Sequence, residues 1–258
     1  MPALGLGVYD MYKETAIQAV EDALSIGYRL IDTASMYDNE EEIGKAIRNS
    51  KVDRKEIFLT TKLNNTDHGY EAALNAFEAS LEKLNQDYVD LYLIHWPIKE
   101  GRTDSWLALE KLYAEKRVRA IGVANYNIAL LEELKSIAHI VPAVNQIEFS
   151  PWLFQEDLLN YCKKAGIQVQ SYSPITRGLK FSDARLDVLC KKYGKTPAQI
   201  VLNWHLQLGL STIPKSSNKA RLMKNFEASH FSLLAEDIQI LNSFNENFRI
   251  CDDPQSYE

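Results

Sequence analysis

Short runs of β-branched and aromatic residues alternate with amphipathic helical stretches about eight times along the chain. Successive β-like runs lie roughly thirty residues apart, which is the length of a strand plus a crossover helix. Parallel strands need such crossovers, so the alternation indicates a parallel sheet. We therefore predict an α/β fold, a (β/α)8 TIM barrel, with an open doubly wound sheet as the alternative.

Individual elements can be read from the same pattern. One predicted helix, KETAIQAVEDALSI, ends at Gly27, and another is GYEAALNAFEASLEKLN. A later helix is predicted to begin with Thr196 as N-cap and Pro197 at its first position. Strands and helices fill the chain without a Gly-, Pro- or Ser-rich linker, so we expect a single domain over residues 1–258. The predicted strands are ALGLGVY, YRLIDTA, IFLTTKL, VDLYLIHW, VRAIGVAN, AVNQIEF, QVQSYSP and LSTIPKS.

Charge and cysteine content narrow the function class. The formal net charge of -6 argues against a nucleic-acid partner or an anionic membrane surface, because both require a cationic footprint. The start of the chain has no signal-peptide pattern, and no apolar stretch approaches a membrane span, so we expect a cytoplasmic protein. Cys162, Cys190 and Cys251 are odd in number and lack metal-ligand spacing, which favours free thiols and no metal site.

Four polar residues follow the predicted strands in a way that suits a barrel active site, where functional side chains lie at the carboxyl ends of strands. Asp32 ends the second strand and Tyr37 lies in the loop after it, Lys62 ends the third strand, and His95 ends the fourth. A charged side chain deep in a β-run is costly unless it is paired. We therefore expect Asp32 and Lys62 to be partners.

A cation beside a phenol can make tyrosine a proton donor near neutral pH. Lowering a tyrosine pKa from about 10 toward 7 requires roughly 4 kcal/mol. A lysine ammonium about 4 Å away supplies that much at an effective dielectric near 20, but not in bulk water. We expect Lys62 to lower the pKa of Tyr37 in a sheltered site, and His95 to orient a substrate carbonyl. The quartet predicts carbonyl reduction with Tyr37 as general acid.

Seven segments resemble, in order and spacing, those of the aldo-keto reductases, particularly the short-tailed microbial members that reduce diketogluconate or methylglyoxal. The resemblance runs from about Leu4 to about Phe248. It implies a (β/α)8 barrel that binds NADPH without a Rossmann fold, and it implies NADP-dependent reduction of aldehydes and ketones to alcohols by Asp32, Tyr37, Lys62 and His95. The segments are GYRLIDTASMY, LTTKL, DLYLIHWP, IGVANYN, PAVNQIEFSPW, SYSPI and STIPKSSNKARLMKNF.

The cofactor site is predicted mainly from the second half of the chain. IPKSSNKAR places two cations and several hydroxyls at the start of a helix, where backbone N–H groups favour an anion. The resemblance implies that this anion is the 2'-phosphate of NADPH, so NADP(H) is expected over NAD(H). It also implies a nicotinamide site. The predicted cofactor residues are Gly7, Asn125, Gln146, Tyr172, Ser173, Pro174, Lys215, Ser216, Ser217, Arg221 and Asn225.

Substrate residues and departures from the family are less well defined. Tyr9, Trp96 and Trp152 are expected to line an aromatic pocket for a small carbonyl compound, with Phe248 or Tyr257 of the tail as further candidates. Relatives commonly begin with a β-hairpin that covers the barrel floor, whereas this chain starts almost at the first strand. The catalytic quartet is intact. The departures within the barrel are Ala124 for serine, Ser150 for histidine and Lys224 for an acidic residue.

Two other function classes stay open at this stage. A non-enzymatic NADPH-binding subunit, such as a redox-sensing partner of a membrane channel, could keep the same cofactor site. A Schiff-base aldolase on a similar barrel would use Lys62 as nucleophile, which requires a neutral amine. We expect a monomer, as is common in the family.

Overall fold

The structure, a computed structural model, describes residues 1–257, so Glu258 of the predicted domain lies outside the described residues. Eight parallel strands form one sheet in chain order, each paired with the next. They are β1 (Leu6–Gly7), β2 (Leu30–Asp32), β3 (Phe58–Leu63), β4 (Leu91–Ile94), β5 (Ile121–Ala124), β6 (Val144–Glu148), β7 (Gln168–Tyr172) and β8 (Ser211–Thr212).

The sheet closes between its first and last strands. Leu4 forms a parallel bridge with Thr212. The Gly5 N–H donates to the Thr212 carbonyl at 2.9 Å, and the Thr212 N–H donates to the Ala3 carbonyl at 2.8 Å. The predicted (β/α)8 barrel is therefore confirmed, and the open doubly wound sheet is wrong. Residues 1–5, which precede β1, contain no hairpin.

Helices cover the outside of the barrel. They are α1 (Lys13–Ile26), α2 (Glu40–Asn49), α3 (Tyr70–Leu84), α4 (Arg102–Ala114), α5 (Ile128–Ile137), α6 (Glu156–Ala165), α7 (Ala184–Tyr193), α8 (Pro197–Gln207), α9 (Lys219–Phe226) and α10 (Ala235–Asn242). The crossover from β7 to β8 contains both α7 and α8. Within the described residues, the expected eight helices were two too few. Periodicity alone does not separate α7 from α8, which are joined by a three-residue turn, and α10 is an additional helix that follows α9.

Helix ends follow local chemistry. Gly27 ends α1 with φ of 123°, a conformation that a side chain disfavours. Thr196 and Gln199 form a capping box at the start of α8, with Pro197 at the first position. The predictions for these two ends are confirmed. Both caps fix where the chain leaves or enters a helix.

The apolar core lies mainly between the barrel and its helices. A smaller apolar cluster of Leu91, Leu93 and Val144 occupies part of the barrel interior. Other interior positions are polar, including Asp32, Lys62 and Gln146, which are all buried. Buried polar groups require partners, so the interior hydrogen bonds decide what this barrel can do. Within residues 1–257, no helix combines the length and apolarity that crossing a membrane requires.

Candidate active site

A cavity of about 1020 Å³ opens at the carboxyl ends of the strands. Small-molecule pockets commonly measure about 300–1,000 Å³, so this one has room for a ligand larger than a small carbonyl compound. All but two of the predicted site residues line it, the exceptions being Lys62 and Trp152. The predicted residues in its wall are Gly7, Tyr9, Asp32, Tyr37, His95, Trp96, Asn125, Gln146, Tyr172, Ser173, Pro174, Lys215, Ser216, Ser217, Arg221 and Asn225.

Lys62 lies behind the cavity wall and is fully buried. Its Nζ donates to Asp32 Oδ1 at 2.6 Å, to the Thr33 carbonyl at 2.9 Å and to Tyr37 Oη at 3.3 Å. An ammonium has three N–H groups, and all three are used. Burial lowers the pKa of Lys62, but Asp32 and Tyr37 together raise it by more than burial lowers it. The pKa therefore lies above its ordinary value. The amine is therefore held charged, and the predicted pair with Asp32 is present.

Tyr37 follows β2 and is half-buried. Its ring packs edge-on against Tyr9 and His95, with centroids 5.1 and 5.5 Å away. Because Tyr37 Oη accepts from Lys62, its own O–H hydrogen is left for another acceptor. Burial raises the pKa of Tyr37 by more than Lys62 lowers it. The expectation of a pKa brought toward neutrality is corrected, since it counted the cation but not the desolvation of the phenolate.

His95 follows β4 directly and contacts the cavity with 7% of its surface exposed. Burial, and then the Lys62 charge, hold its pKa well below the ordinary value. The imidazole is therefore neutral. Its Nδ1 is buried and has no hydrogen-bond partner within the described residues. A buried N–H without an acceptor is rarer than an unpaired lone pair, so the hydrogen belongs on Nε2.

Two side-chain amides and a tyrosine hydroxyl extend the hydrogen-bond network from this centre to β5, β6 and β7. Asn125 adopts φ of 65° just after β5, a left-handed conformation that asparagine tolerates. Its Nδ2 donates to the His95 carbonyl at 3.0 Å, and the Tyr172 hydroxyl donates to its Oδ1 at 2.8 Å. Gln146 lies in the middle of β6 rather than at its end, and its Nε2 donates to Asp32 Oδ2 at 2.7 Å.

The predicted phosphate residues meet at the other end of the cavity, between β8 and α9. Asn218 caps α9 by accepting from the Arg221 N–H at 3.0 Å, and the Asn218 N–H donates to Ser216 Oγ at 3.2 Å. One backbone N–H of this helix start is therefore already used. Lys215 Nζ lies 3.5 Å from Asp10 Oδ2. Lys224 also faces the cavity, so this end is cationic.

Gly7 lines the cavity, and the sequence did not indicate why this position must be glycine. A Cβ atom there would lie 2.8 Å from the Ile213 carbonyl oxygen, so β1 and the residue after β8 could not approach as they do. Glycine is therefore required here by close packing against the protein's own backbone.

Trp152 is the exception among the predicted substrate residues. It is fully buried, its indole N–H donates to Asp183 Oδ2 at 2.8 Å, and its ring packs against Phe244. Trp152 does not reach the cavity, because its N–H is hydrogen-bonded and its ring is packed within the core. Trp152 ends the PAVNQIEFSPW segment, but its place in that segment does not determine where the side chain packs, and we remove it from the substrate site.

The tail contributes wall residues of which the sequence analysis named only Tyr257, and the other tail candidate, Phe248, does not line the cavity. Ile250, Cys251 and Asp252 line the cavity, and Tyr257 packs on Trp96 with ring centroids 4.7 Å apart. Glu148, the last residue of β6, fixes this segment by accepting from the Ile250 and Cys251 N–H groups at 2.8 and 3.1 Å. No local pattern reveals a contact that spans more than a hundred residues.

Arg177 is another cavity residue that the sequence analysis did not predict, although the sequence contains a feature that could have indicated it. It is exposed, lines the cavity, and lies 5.9 Å from the Tyr9 ring centroid. A basic residue in the loop that follows the SYSP segment was visible in the sequence. Among the described residues, no group of three or more His, Cys, Asp or Glu side chains is placed to hold a metal ion.

Comparison with known proteins adds independent findings. The model of the family described as "Aldo/keto reductase family" matches residues 3–246. The chain is 46% identical over 255 residues to the glyoxal reductase of Bacillus subtilis (strain 168), covering 98% of this chain and 92% of the relative.

Solved structures agree. An aldo-keto reductase enzyme called MGS-M4, from a Medee basin deep-sea metagenome library, has a TM-score of 0.96 and 43% identity, covering 98% of this chain and 94% of that chain. A mutant of Gox0644 in complex with NADPH has a TM-score of 0.94 and 39% identity, covering 99% of this chain and 94% of that chain.

Proposed function

We propose that this chain, which belongs to the aldo/keto reductase family, reduces aldehydes or ketones to alcohols with NADPH. The observation that carries the proposal is the hydrogen bonding of Lys62. Its three N–H groups are all donated, so Tyr37 Oη accepts from it and keeps its own hydrogen for a substrate oxygen. A proton donor is thereby held beside a neutral imidazole at the cavity wall.

The described residues fit a nicotinamide dinucleotide. Gln146 and Asn125 amides and the half-buried Tyr172 ring form one region that would hold the nicotinamide. Lys215, Ser216, Ser217 and Arg221 would hold the 2'-phosphate, with Asn225 next to the adenine. NADPH, when bound, supplies the hydride that adds to the carbonyl carbon. The NADPH-bound structural relative supports this cofactor.

The protein's own residues supply the proton. As the carbonyl oxygen gains negative charge, Tyr37 transfers its O–H hydrogen to it and becomes a phenolate beside the Lys62 ammonium. His95 donates its Nε2 hydrogen to the same oxygen, which orients the carbonyl and stabilises the developing charge. Asp32 keeps Lys62 charged and in place. In alcohol oxidation the same phenolate is the base.

The substrate class is a small aldehyde or an α-dicarbonyl compound. Tyr9, Trp96 and Tyr257 give this part of the cavity an aromatic surface. The relative named glyoxal reductase supports a dicarbonyl substrate. We further propose a cytoplasmic monomer that acts on free small molecules.

The alternatives fit less well. A Schiff-base aldolase requires a neutral and reachable amine, whereas Lys62 is fully buried with all three N–H groups donated and its pKa raised. A non-enzymatic NADPH-binding subunit would not need the ordered Tyr37 and Lys62 contact. A measurement of turnover distinguishes such a non-enzymatic subunit from the proposed enzyme.

The test follows NADPH absorbance with a panel of aldehydes and α-dicarbonyls. We expect Tyr37→Phe to lose about 10²- to 10⁴-fold in kcat, the usual contribution of general acid catalysis, while its NADPH affinity stays within about twofold. Tyr113→Phe, on the exposed side of α4, should match the wild type. A Phe variant that binds NADPH normally and keeps most of its turnover would show that Tyr37 is not the proton donor.

A further inference from the structure

A line of hydrogen bonds crosses the barrel interior from the catalytic pair to the floor. Gln146 Nε2 donates to Asp32 Oδ2 and to Gln170 Oε1, both at 2.7 Å. Gln170 Nε2 donates to Ser211 Oγ at 3.2 Å, and the Ser211 hydroxyl donates to the Pro2 carbonyl at 3.1 Å. Gln146, Gln170 and Ser211 are register partners on β6, β7 and β8, so they form one layer.

The chemistry of the partners fixes which way the Gln146 amide faces. Asp32 also accepts from Lys62, and a carboxylate accepts only, so it requires an N–H from Gln146. Gln170 directs its Oε1 at Gln146, and this oxygen accepts the second N–H of the Gln146 amide. Both N–H groups of the Gln146 amide are thus used. Its Oε1 has no protein donor among the described residues, and Gln146 lines the cavity.

Gln170 is fixed in turn from the floor side. The Ser211 hydroxyl gives its hydrogen to Pro2, so its oxygen is free to accept from Gln170 Nε2. A flipped Gln170 amide would place N–H against N–H at Gln146. Gln170 is fully buried, so water cannot take over either bond.

We propose that Gln170 is a positioning residue that makes Gln146 an obligatory acceptor, so that the site selects a nicotinamide carboxamide N–H over rings that carry no such donor. The inference rests on the proposed function, because NADPH is the ligand that brings this donor. It assigns a role in cofactor recognition to a residue that does not line the cavity.

The experiment measures dissociation constants by titration calorimetry for three ligands. NADPH carries the carboxamide N–H, its 3-acetylpyridine analogue has a methyl ketone instead, and 2',5'-ADP has no nicotinamide. We expect Gln170→Met, which keeps the bulk but removes the acceptor, to weaken NADPH binding about tenfold, because Gln146 then loses one of the two acceptors that hold its Oε1 toward the carboxamide N–H. The other two ligands should change by less than about twofold, because they do not use this bond.

Two variants calibrate the result. Gln168→Leu is the matched control, since Gln168 lies two residues earlier on β7 and bonds only to backbone carbonyls, so all three ligands should bind normally. Gln170→Glu keeps an oxygen opposite Gln146 and should hold NADPH affinity within about threefold of the wild type. A loss as large as that of Gln170→Met would contradict the proposal.

Equal losses for NADPH and the acetyl analogue, or unchanged NADPH affinity in Gln170→Met, would overturn the inference. If Gln170→Met does not fold, Ser211→Ala provides the same comparison with a smaller change, and its predicted loss of about threefold must be confined to NADPH. A wild type that binds 2',5'-ADP but not NADPH would overturn the proposed function as well. The two failures are therefore distinguishable.

Discussion

At the scale of single residues, Lys62 organises the site through its hydrogen-bond count rather than through charge alone. Its third N–H fixes Tyr37 Oη as an acceptor. Its charge lowers the pKa of Tyr37, but by less than burial raises it. The phenol is therefore protonated at neutral pH. For reduction this is the useful form, because the donor must carry its proton before the hydride arrives.

The pH dependence of reduction follows from these directions. An acid catalyst loses activity as the pH rises through its pKa, and the pKa of Tyr37 lies above its ordinary value of about 10. His95 has its pKa well below the ordinary value, so it should add no acidic limb between pH 6 and 8. We expect kcat for reduction to be flat across that range. A limb centred near pH 7 would contradict this assignment, and steady-state profiles with saturating NADPH would reveal it.

At the scale of elements, the short β8 and the capped start of α9 place cations at one end of the cavity. Arg221 lies in the first turn of α9, and Asn218 fixes that turn by accepting its backbone N–H. Arg221 lines the cavity. Lys219, two residues earlier, pairs instead with Asp22 at 2.8 Å and does not line the cavity.

This arrangement predicts cofactor discrimination. Arg221→Ala should weaken NADPH by about 10- to 100-fold, the loss of a charge-assisted hydrogen bond, and should change NADH by less than about threefold. Lys219→Ala is the matched control and should alter neither. Dissociation constants for both cofactors provide the measurement. Equal losses for NADPH and NADH in Arg221→Ala would remove the argument for a 2'-phosphate site.

Element by element, the sequence predicted what local chemistry decides. Strand periodicity located Asp32, Lys62 and His95, and the capping signals located both ends that involve Gly27 and Thr196. Long-range packing lay outside its reach. The burial of Trp152 and the clamp of Glu148 on the tail depend on contacts between distant segments. Desolvation of Tyr37 likewise depends on the closed barrel, and so the direction of its pKa was missed.

At the scale of the whole molecule, the packing of helices against the outside of the barrel buries charged groups as well as apolar ones. Glu40, at the start of α2, is buried and accepts from the Thr61 hydroxyl at 2.6 Å. Burial raises its pKa, and the Thr61 bond lowers it by less. The folded protein therefore binds this proton more tightly than the unfolded chain. The stabilisation from the proton is complete below the unfolded pKa, about 4.3, and is lost as pH rises through the folded-state pKa.

Removing that titration should flatten the pH dependence of stability. We expect the free energy of unfolding of Glu40→Gln to gain on the wild type as pH rises from about 4.3, by more than the roughly 0.5 kcal/mol typical of surface changes. Glu41→Gln, at the exposed neighbouring position of α2, should stay within that margin at every pH. Urea unfolding at a series of pH values measures both. A constant difference between Glu40→Gln and the wild type would refute the burial argument.

The central claim is that the barrel brings a hydride from NADPH and a proton from Tyr37 to one carbonyl group. Its most direct test is a reaction with NADPH deuterated at the transferred C4 position, using the carbonyl compound that the wild type reduces fastest. Mass spectrometry of the alcohol should find one deuterium on the carbinol carbon, and Tyr37→Phe should form little alcohol in the same time. An alcohol without deuterium, or an undiminished yield from Tyr37→Phe, would contradict the account.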